Sequence, residues 1–390
     1  MLVRRCAIVM LEPREHAVFD LALLVAGGSG LRSGRAWFAL APHLDQECEL
    51  DEDHVRVLGE LSPTNWVELD ELATQHPCTV LAGLLERRLL IEQGSTADAD
   101  DQGVRATHWR PAAAVMHAMS RWQGVDSKQL AREFAAHANQ PILAYLGAPP
   151  TPVREHLPEP EQRLLPVPPS TPFDQLLLRR VTCRNYDTTR ELPLLDFAAV
   201  LHRSFAARAV VETAPGVHIL KKGVPSAGGL HPTEAYLLVQ RVEGVAPGLY
   251  HYQAVRHALE PMRLLEGDAA AALARTFVAG QDYFAHAHVL VIAVSRFERN
   301  FWKYRNHAKA YRALTLDVGY LSHTIYLAST ELGLAAFITA AINEVDIERA
   351  FGLDPRHEGP LAVCGFGLRA AQREEIEFDP LGVVWGAAEC

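Results

Sequence analysis

The chain has 390 residues, 49% of them hydrophobic and 22% charged, which suits a globular protein of two or three domains, each with its own core. A formal net charge of −10 argues against a nucleic-acid binder, whose affinity comes from neutralising phosphates. No apolar run reaches the ~18 residues of a bilayer span, so neither nucleic acid nor membrane is an expected partner.

In chain order, Leu2–Leu11 reads as a strand, and Val18–Ala26 as an apolar segment running into Gly27-Gly28-Ser29-Gly30. That glycine cluster lacks the Gly-Lys-Ser/Thr ending of a phosphate loop and reads as a plain turn. The spacing predicts helices over His54–Leu61, Val67–Ala73 and Val80–Leu85, then a strand at Leu89–Glu92, an order like that of a winged-helix unit. In a DNA reader the third helix would be basic. From Thr64 to Gly94 only Arg87 and Arg88 stand against Glu68, Asp70, Glu71, Glu86 and Glu92, so the expectation is a peptide-docking module, a scaffold or a plain packing domain. Ser95–Gly103 reads as an acidic loop. A helix from about Ala112 to Trp122 places Ala113, Met116, His117 and Ser120 on one face, expected to be core. Nine prolines between Pro149 and Pro172 exclude helix and central strand. The expected domains are therefore 1–148, a linker at 149–172, and 173–390.

The C-terminal part opens with Thr171-Pro172 as N-cap and N1 of a helix over Phe173–Arg180. Then comes Arg180-Val181-Thr182-Cys183-Arg184-Asn185-Tyr186. If extended, it puts Arg180, Thr182 and Arg184 on one face, where two guanidiniums and a hydroxyl suit a phosphate. The decamer Pro225-Ser226-Ala227-Gly228-Gly229-Leu230-His231-Pro232-Thr233-Glu234 has almost no side chains at its centre, so its backbone N–H groups can approach a flat or anionic ligand. Strands are expected at Ala235–Gln240, Gly248–Tyr252 and Val289–Val294, the last buried on both faces. His286 and His288 have no third ligand at metal spacing and read as structural. Arg296–Arg312 interleaves cations with aromatics, and a long helix follows. Its stripe Leu314, Val318, Leu321, Ile325, Ala328 and Leu332 suits a helix partner. A strand at Ala335–Ile338, a helix over Asn343–Phe351 and a strand at Leu361–Phe366 complete an α+β domain without a βαβ repeat. The six cysteines are scattered with no CxxC pair and read as reduced thiols. Cys6–Leu11 is too short for a signal-peptide core, so the expected location is cytoplasmic.

The ordered set Arg-x-Thr-x-Arg-x-Tyr, Pro-Ser-Ala-Gly-Gly-Leu-His-Pro, Gly-Leu-Tyr-His-Tyr and Trp-Lys-Tyr before a long helix resembles the nitroreductase-like FMN superfamily, in its SagB-type branch. Those enzymes are azoline dehydrogenases that mature ribosomally made peptides by forming thiazoles and oxazoles. The resemblance covers roughly Phe173 to Arg369. It implies an α+β FMN domain, with a central mixed sheet flanked by helices, which follows the N-terminal domain read above as winged-helix-like from its helix order. It further implies a homodimer, and a precursor peptide and a partner maturase as partners. Carried over residue by residue, Arg180, Thr182 and Arg184 hold the FMN phosphate, with Thr182 where Ser is commoner, and Arg369 returns to it. Pro225, Ser226, Ala227 and Gly228 lie along the isoalloxazine. Ala340 and Ala341 face its N5 edge, and Lys303 and Tyr304 are the catalytic pair.

Azole formation removes a proton from carbon and a hydride to an acceptor, so a redox cofactor and a base are both required. Free Tyr and Lys have pKa values near 10 and 10.4, so Tyr304 serves as base only if Lys303 and Arg305 favour its anion, and Lys303 only if burial favours its neutral form. Two other functions fit the same residues: an NAD(P)H-dependent nitro or quinone reductase, and a non-catalytic scaffold in a peptide-maturation complex.

Overall fold

A computed structural model describes residues 1–44, 46–138 and 146–386. The chain forms two compact units, one of Met1–Arg121, Arg296–Ala313 and Asp354–Glu358, the other of Trp122–Ser295, Leu314–Leu353 and Gly359–Cys390.

The first unit holds β1 (Leu2–Arg5), β2 (Met10–Phe19), β3 (Leu31–Leu40), β4 (Cys48–Leu50), β5 (Val67–Glu68) and β6 (Leu90–Glu92). β1 lies between β5 and β6, antiparallel to both. β2 and β3 form a long hairpin with β4 on its edge, so the strand expected over Leu2–Leu11 is two strands in two sheets. Gly27 and Gly30 take left-handed φ values of 84° and 70° in the connection after the short helix Leu21–Val25, the plain turn expected there. Helices Glu52–Glu60, Leu69–Leu72 and Cys78–Glu86 follow the predicted rhythm. Val57, Leu58, Leu72, Val80, Leu81 and Leu84 close over Val3 and Leu89–Ile91.

Two expectations are corrected in this unit. The acidic stretch is helix Thr96–Ala106 rather than a loop. Ser95 caps it by accepting the Asp98 N–H at 3.1 Å, while Arg4 donates to Asp98 and Asp101 at 2.9 and 3.1 Å and Arg105 to Asp101 at 2.7 Å. Positions 98, 101 and 105 share one helix face, so the carboxylates are neutralised rather than solvated. Helix Pro111–Met119 buries Ala114, Val115, His117 and Ala118, whereas Met116 is 64% exposed. The stacking of His117 on Trp109 sets which face turns inward.

The second unit contains the hairpin β7 (Ala209–Ala214) and β8 (Val217–Lys221), and a sheet of β9 (Thr233–Val239), β10 (Gly248–Gln253), β11 (Ala258–Leu264), β12 (Val289–Arg296), β13 (Ala335–Thr339) and β14 (Glu358–Gly367). The sheet order is β11-β10-β9-β12-β14-β13. β9 and β12 are antiparallel with Leu237 opposite Val291. Leu237, Val239, Val289 and Val291 face one core, and Tyr236, Leu238, Leu290, Ile292 and Val294 the other. The continuous apolar run is therefore a strand covered on both sides, as its sequence predicts. Helices Leu194–Ser204 and Ala310–Glu331 contribute to the first core, and Ala269–Phe277, Asp282–Ala285 and Glu344–Phe351 to the second.

The stripe on the long helix does not wait for a partner helix. Leu321 and Ile325 join the sheet core and Val318 packs with Ala293 and Ala362, so the stripe helps to cover a sheet that is apolar on both faces. The compact units also divide elsewhere than at the prolines. Trp122 and Gly124 donate backbone N–H groups to Glu344 and Asp346 at 2.8 and 2.7 Å, and Val125 to Asn343 Oδ1 at 2.8 Å. Residues 151–170 are exposed and carry no α-helix or strand, as their prolines require.

Candidate functional site

The Ser-Ala-Gly-Gly bend, in the second unit, is pinned to the long helix. Ser226 Oγ donates to Asp317 Oδ2, and the Ala227 N–H donates to Asp317 Oδ1 at 3.0 Å. Ser226 Oγ accepts in turn from the His231 N–H at 2.9 Å, which closes the bend. Gly228 and Gly229 have φ values of 62° and 70°, a region that a side chain at Gly228 would strain. Burial raises the Asp317 carboxyl above its ordinary range, and the Ser226 and Ala227 bonds pull against that. A small cavity beside the bend is lined by Lys222, Pro225, Ser226, His231, Thr233 and Asp317. The expected supply of free N–H groups is smaller than the composition implied. Those of Ala227, Gly229, Leu230 and His231 are all spent inside the protein. The bend therefore offers a ligand mainly a surface without side chains.

The Arg-x-Thr-x-Arg segment is extended along the sheet edge, with Thr182 bridging Ala336 and Tyr186 bridging Arg369. Val181, Cys183 and Asn185 are buried, while Arg180, Thr182 and Arg184 alternate with them on a more open face, as the period of two predicts. Arg180 lies over the Tyr326 ring at 5.3 Å, and the Thr182 and Tyr326 hydroxyls are 2.9 Å apart. Arg184 donates to the Ile376 carbonyl at 3.3 Å and lies 5.7 Å from the Tyr283 ring centroid. Among the described residues neither arginine has a carboxylate partner.

Arg369 differs, because its guanidinium is paired with Glu377. The Glu377 side chain is fully buried, and it also accepts the Arg184 N–H at 2.7 Å, Asn185 Nδ2 at 2.8 Å and Trp385 Nε1 at 2.8 Å. Burial works to raise this carboxyl, but those donors hold it below the ordinary glutamate range. Ala340 is exposed just after β13 and Ala341 is half-buried. Gln281 Nε2 bonds to the Ala341 carbonyl and to Thr339 Oγ1 at 2.9 and 3.1 Å, fixing that turn.

Lys303 and Tyr304 belong to the first unit, at the C-terminal end of helix Phe297–Lys303. Lys303 is exposed, Tyr304 half-buried, and Lys303 Nζ lies 5.7 Å from the Tyr304 ring centroid. His288 is a buried imidazole 3.0 Å from the Arg190 carbonyl, and burial lowers its pKa to about 4, consistent with a structural role.

Three residues of this site escaped the sequence reading. Asp317 left a signal, an acid inside the stripe between Leu314 and Leu321. Tyr326 sits on the same helix without a motif of its own, and Glu377 lies in a segment with no pattern at all. The donor set fits a phosphate-bearing planar cofactor such as FMN. Two uncompensated guanidiniums and a hydroxyl share one face, and the bend beside Asp317 has no side chain beyond Cβ at Ala227 and Gly228. No helix among the described residues is long and apolar enough to cross a membrane.

Residues 177–368 match the Nitroreductase family model. The trifolitoxin-processing protein TfxB of Rhizobium leguminosarum bv. trifolii is 30% identical over 171 residues, 43% of this chain and 45% of that protein, so the chain spans less than half of that relative. MJ1384 of Methanocaldococcus jannaschii is 29% identical over 197 residues, 50% of this chain and 91% of that one. Among solved structures, the E. coli microcin synthetase McbBCD complex with truncated pro-MccB17 bound is 22% identical, with a TM-score of 0.43, covering 62% of this chain and 93% of that chain.

Proposed function

From the match of residues 177–368 to the Nitroreductase family model we propose that the chain is a member of that family, an FMN-dependent dehydrogenase that matures a ribosomally made peptide by oxidising azoline rings to azoles. One observation carries the cofactor assignment: the open face of Arg180, Thr182 and Arg184 bears two guanidiniums with no carboxylate partner among the described residues. These three residues would hold the phosphate. Arg369, neutralised by Glu377, would lend weaker help. The bend Pro225–Gly228 would lie along the ring system, with Ala340 and Ala341 at its reactive edge. When bound, FMN supplies the two-electron acceptor that ring aromatisation needs.

The protein's own part is to hold the peptide and take the proton. Tyr304 is the proposed base for the ring-carbon proton, with Lys303, whose Nζ lies 5.7 Å from the Tyr304 ring centroid, as its electrostatic partner. A relative named for trifolitoxin processing supports a maturation role. The N-terminal domain, residues 1–148, winged-helix-like in its order of helices and without basic charge on the third, is the proposed docking module for a precursor or a partner maturase. A homodimer and a cytoplasmic location complete the proposal.

The test begins with the absorbance spectrum of the purified full chain supplied with FMN, followed by incubation with an azoline-bearing peptide and mass spectrometry. A flavin spectrum and loss of two hydrogens per ring are expected, with Tyr304→Phe largely inactive while still binding FMN. Rapid bleaching by NAD(P)H with no peptide oxidation would instead identify a small-molecule reductase. A colourless protein that takes up no FMN would identify a scaffold.

A further inference from the structure

Helix Phe297–Lys303 turns Phe297, Asn300 and Phe301 inward, all 2% exposed or less. Trp109 packs edge-on to both rings, at 4.8 Å from Phe297 and 4.7 Å from Phe301. His117 stacks on Trp109 at 5.2 Å, meets Phe297 at 4.9 Å, and has its Nδ1 3.1 Å from the Tyr311 hydroxyl. Burial pushes this imidazole down to about 3, so the cluster is uncharged.

Backbone bonds tie the same segment at several points. The Phe297 N–H donates to the His357 carbonyl at 2.8 Å, the Asn306 N–H to the His108 carbonyl at 3.0 Å, and Asn300 Nδ2 to the Ala310 carbonyl at 3.0 Å. Trp109 is itself fixed, its Nε1–H bonding the Arg356 carbonyl at 3.0 Å. The turn after Lys303 includes Asn306 at a left-handed φ of 52°, and the His307 N–H closes it onto the Tyr304 carbonyl at 3.1 Å. Lys303 and Tyr304 thus leave a helix end held by residues some 190 positions earlier in the chain.

We infer that Trp109 and His117 are positioning residues that fix the Lys303–Tyr304 turn, so the N-terminal region takes part in the chemistry as well as in any docking. The inference rests on the proposed role of Lys303 and Tyr304. Its physical basis is orientation, since two side chains at a helix end are aimed only as well as that helix is held.

The test compares Trp109→Leu, Trp109→Phe and His117→Phe in the full chain with FMN. Amide hydrogen exchange across 302–308 and steady-state turnover of an azoline peptide are both measured. In Trp109→Leu, exchange at 302–308 quickens while the second unit keeps its protection, and kcat falls about tenfold or more with KM within about twofold. Trp109→Phe restores most of kcat, and His117→Phe, which loses the Tyr311 bond but keeps the ring, lies between. Should Trp109→Leu fail to fold, His117→Phe carries the same two readouts. Unchanged exchange at 302–308, or quickened exchange with wild-type kcat while Lys303→Ala is inactive, overturns this inference alone. Full activity of both Lys303→Ala and Tyr304→Phe overturns the proposed role of the pair, and this inference with it.

Discussion

Asp317→Ala removes the acceptor for Ser226 Oγ and for the Ala227 N–H, the two bonds that pin the bend to the long helix. A hydrogen bond to a charged group contributes ~1.5–3 kcal/mol, and a buried donor left without an acceptor costs ~1–3 kcal/mol. Against this, the mutation relieves the burial penalty that raises the Asp317 carboxyl. The opposing terms leave an expected net loss of about 1–3 kcal/mol. Asp317→Asn keeps Oδ1 for Ala227, and Ser226 Oγ can accept from the new amide, so its cost stays below about 1 kcal/mol. The pH dependence has a definite sign. Because the folded carboxyl is raised, wild-type stability relative to Asp317→Asn is greatest below the ordinary Asp range and declines as pH rises through the folded value. Urea unfolding measures the first effect, and flavin fluorescence titration measures the looser grip of a freed bend on FMN. If Asp317→Ala is within about 0.5 kcal/mol of wild type and binds FMN equally well, the anchor role is wrong.

Glu377→Ala strips a fully buried carboxylate from Arg184, Asn185, Arg369 and Trp385, leaving the Arg369 charge unpaired. The expected loss in urea unfolding is about 3–5 kcal/mol, with proteolytic nicking concentrated in 374–386. Arg180→Ala and Arg184→Ala should each weaken FMN binding by about tenfold to a hundredfold, while riboflavin, which lacks the phosphate, binds all three proteins alike. His251 lies between Glu234 and Glu260, at 2.9 and 2.7 Å, and bonds to these carboxylates raise its pKa. Its stabilisation is fully present below the unfolded value and fades as pH rises through the folded one. His251→Gln should therefore lower Tm at pH ~5.5 and leave it nearly unchanged at pH ~9. Burial pushes the thiols of Cys6, Cys183 and Cys364 up to about 12, whereas Cys78 is exposed. Under native conditions a thiol reagent should modify Cys78 first and spare those three until denaturant is added. Cys390 lies outside the described residues.

Much of the second unit was legible along the chain. Thr171 and Asp174 form the capping box that the Thr-Pro-Phe-Asp run announces, and Arg180, Thr182 and Arg184 alternate with buried neighbours as an extended segment must. The both-face burial of Val289–Val294 follows from its unbroken apolar run. These features depend on residues a few positions apart, where backbone geometry alone decides which side chains share a face.

What each face meets is a different matter. The stripe on the long helix predicts burial correctly, but whether a second copy or the chain's own sheet covers it depends on where β12 and β14 lie. The acidic run at 96–106 reads as a solvated loop until Arg4, 97 positions from Asp101, is brought against it. Arg369 reads as a free phosphate ligand until Glu377 pairs with it, and Glu377 is itself held by Asn185 from 192 positions away. Periodicity and capping are local and were determined by the sequence. Which charge is cancelled and which apolar face is covered were decided by the tertiary structure, because desolvation and pairing energies depend on neighbours that only folding brings together.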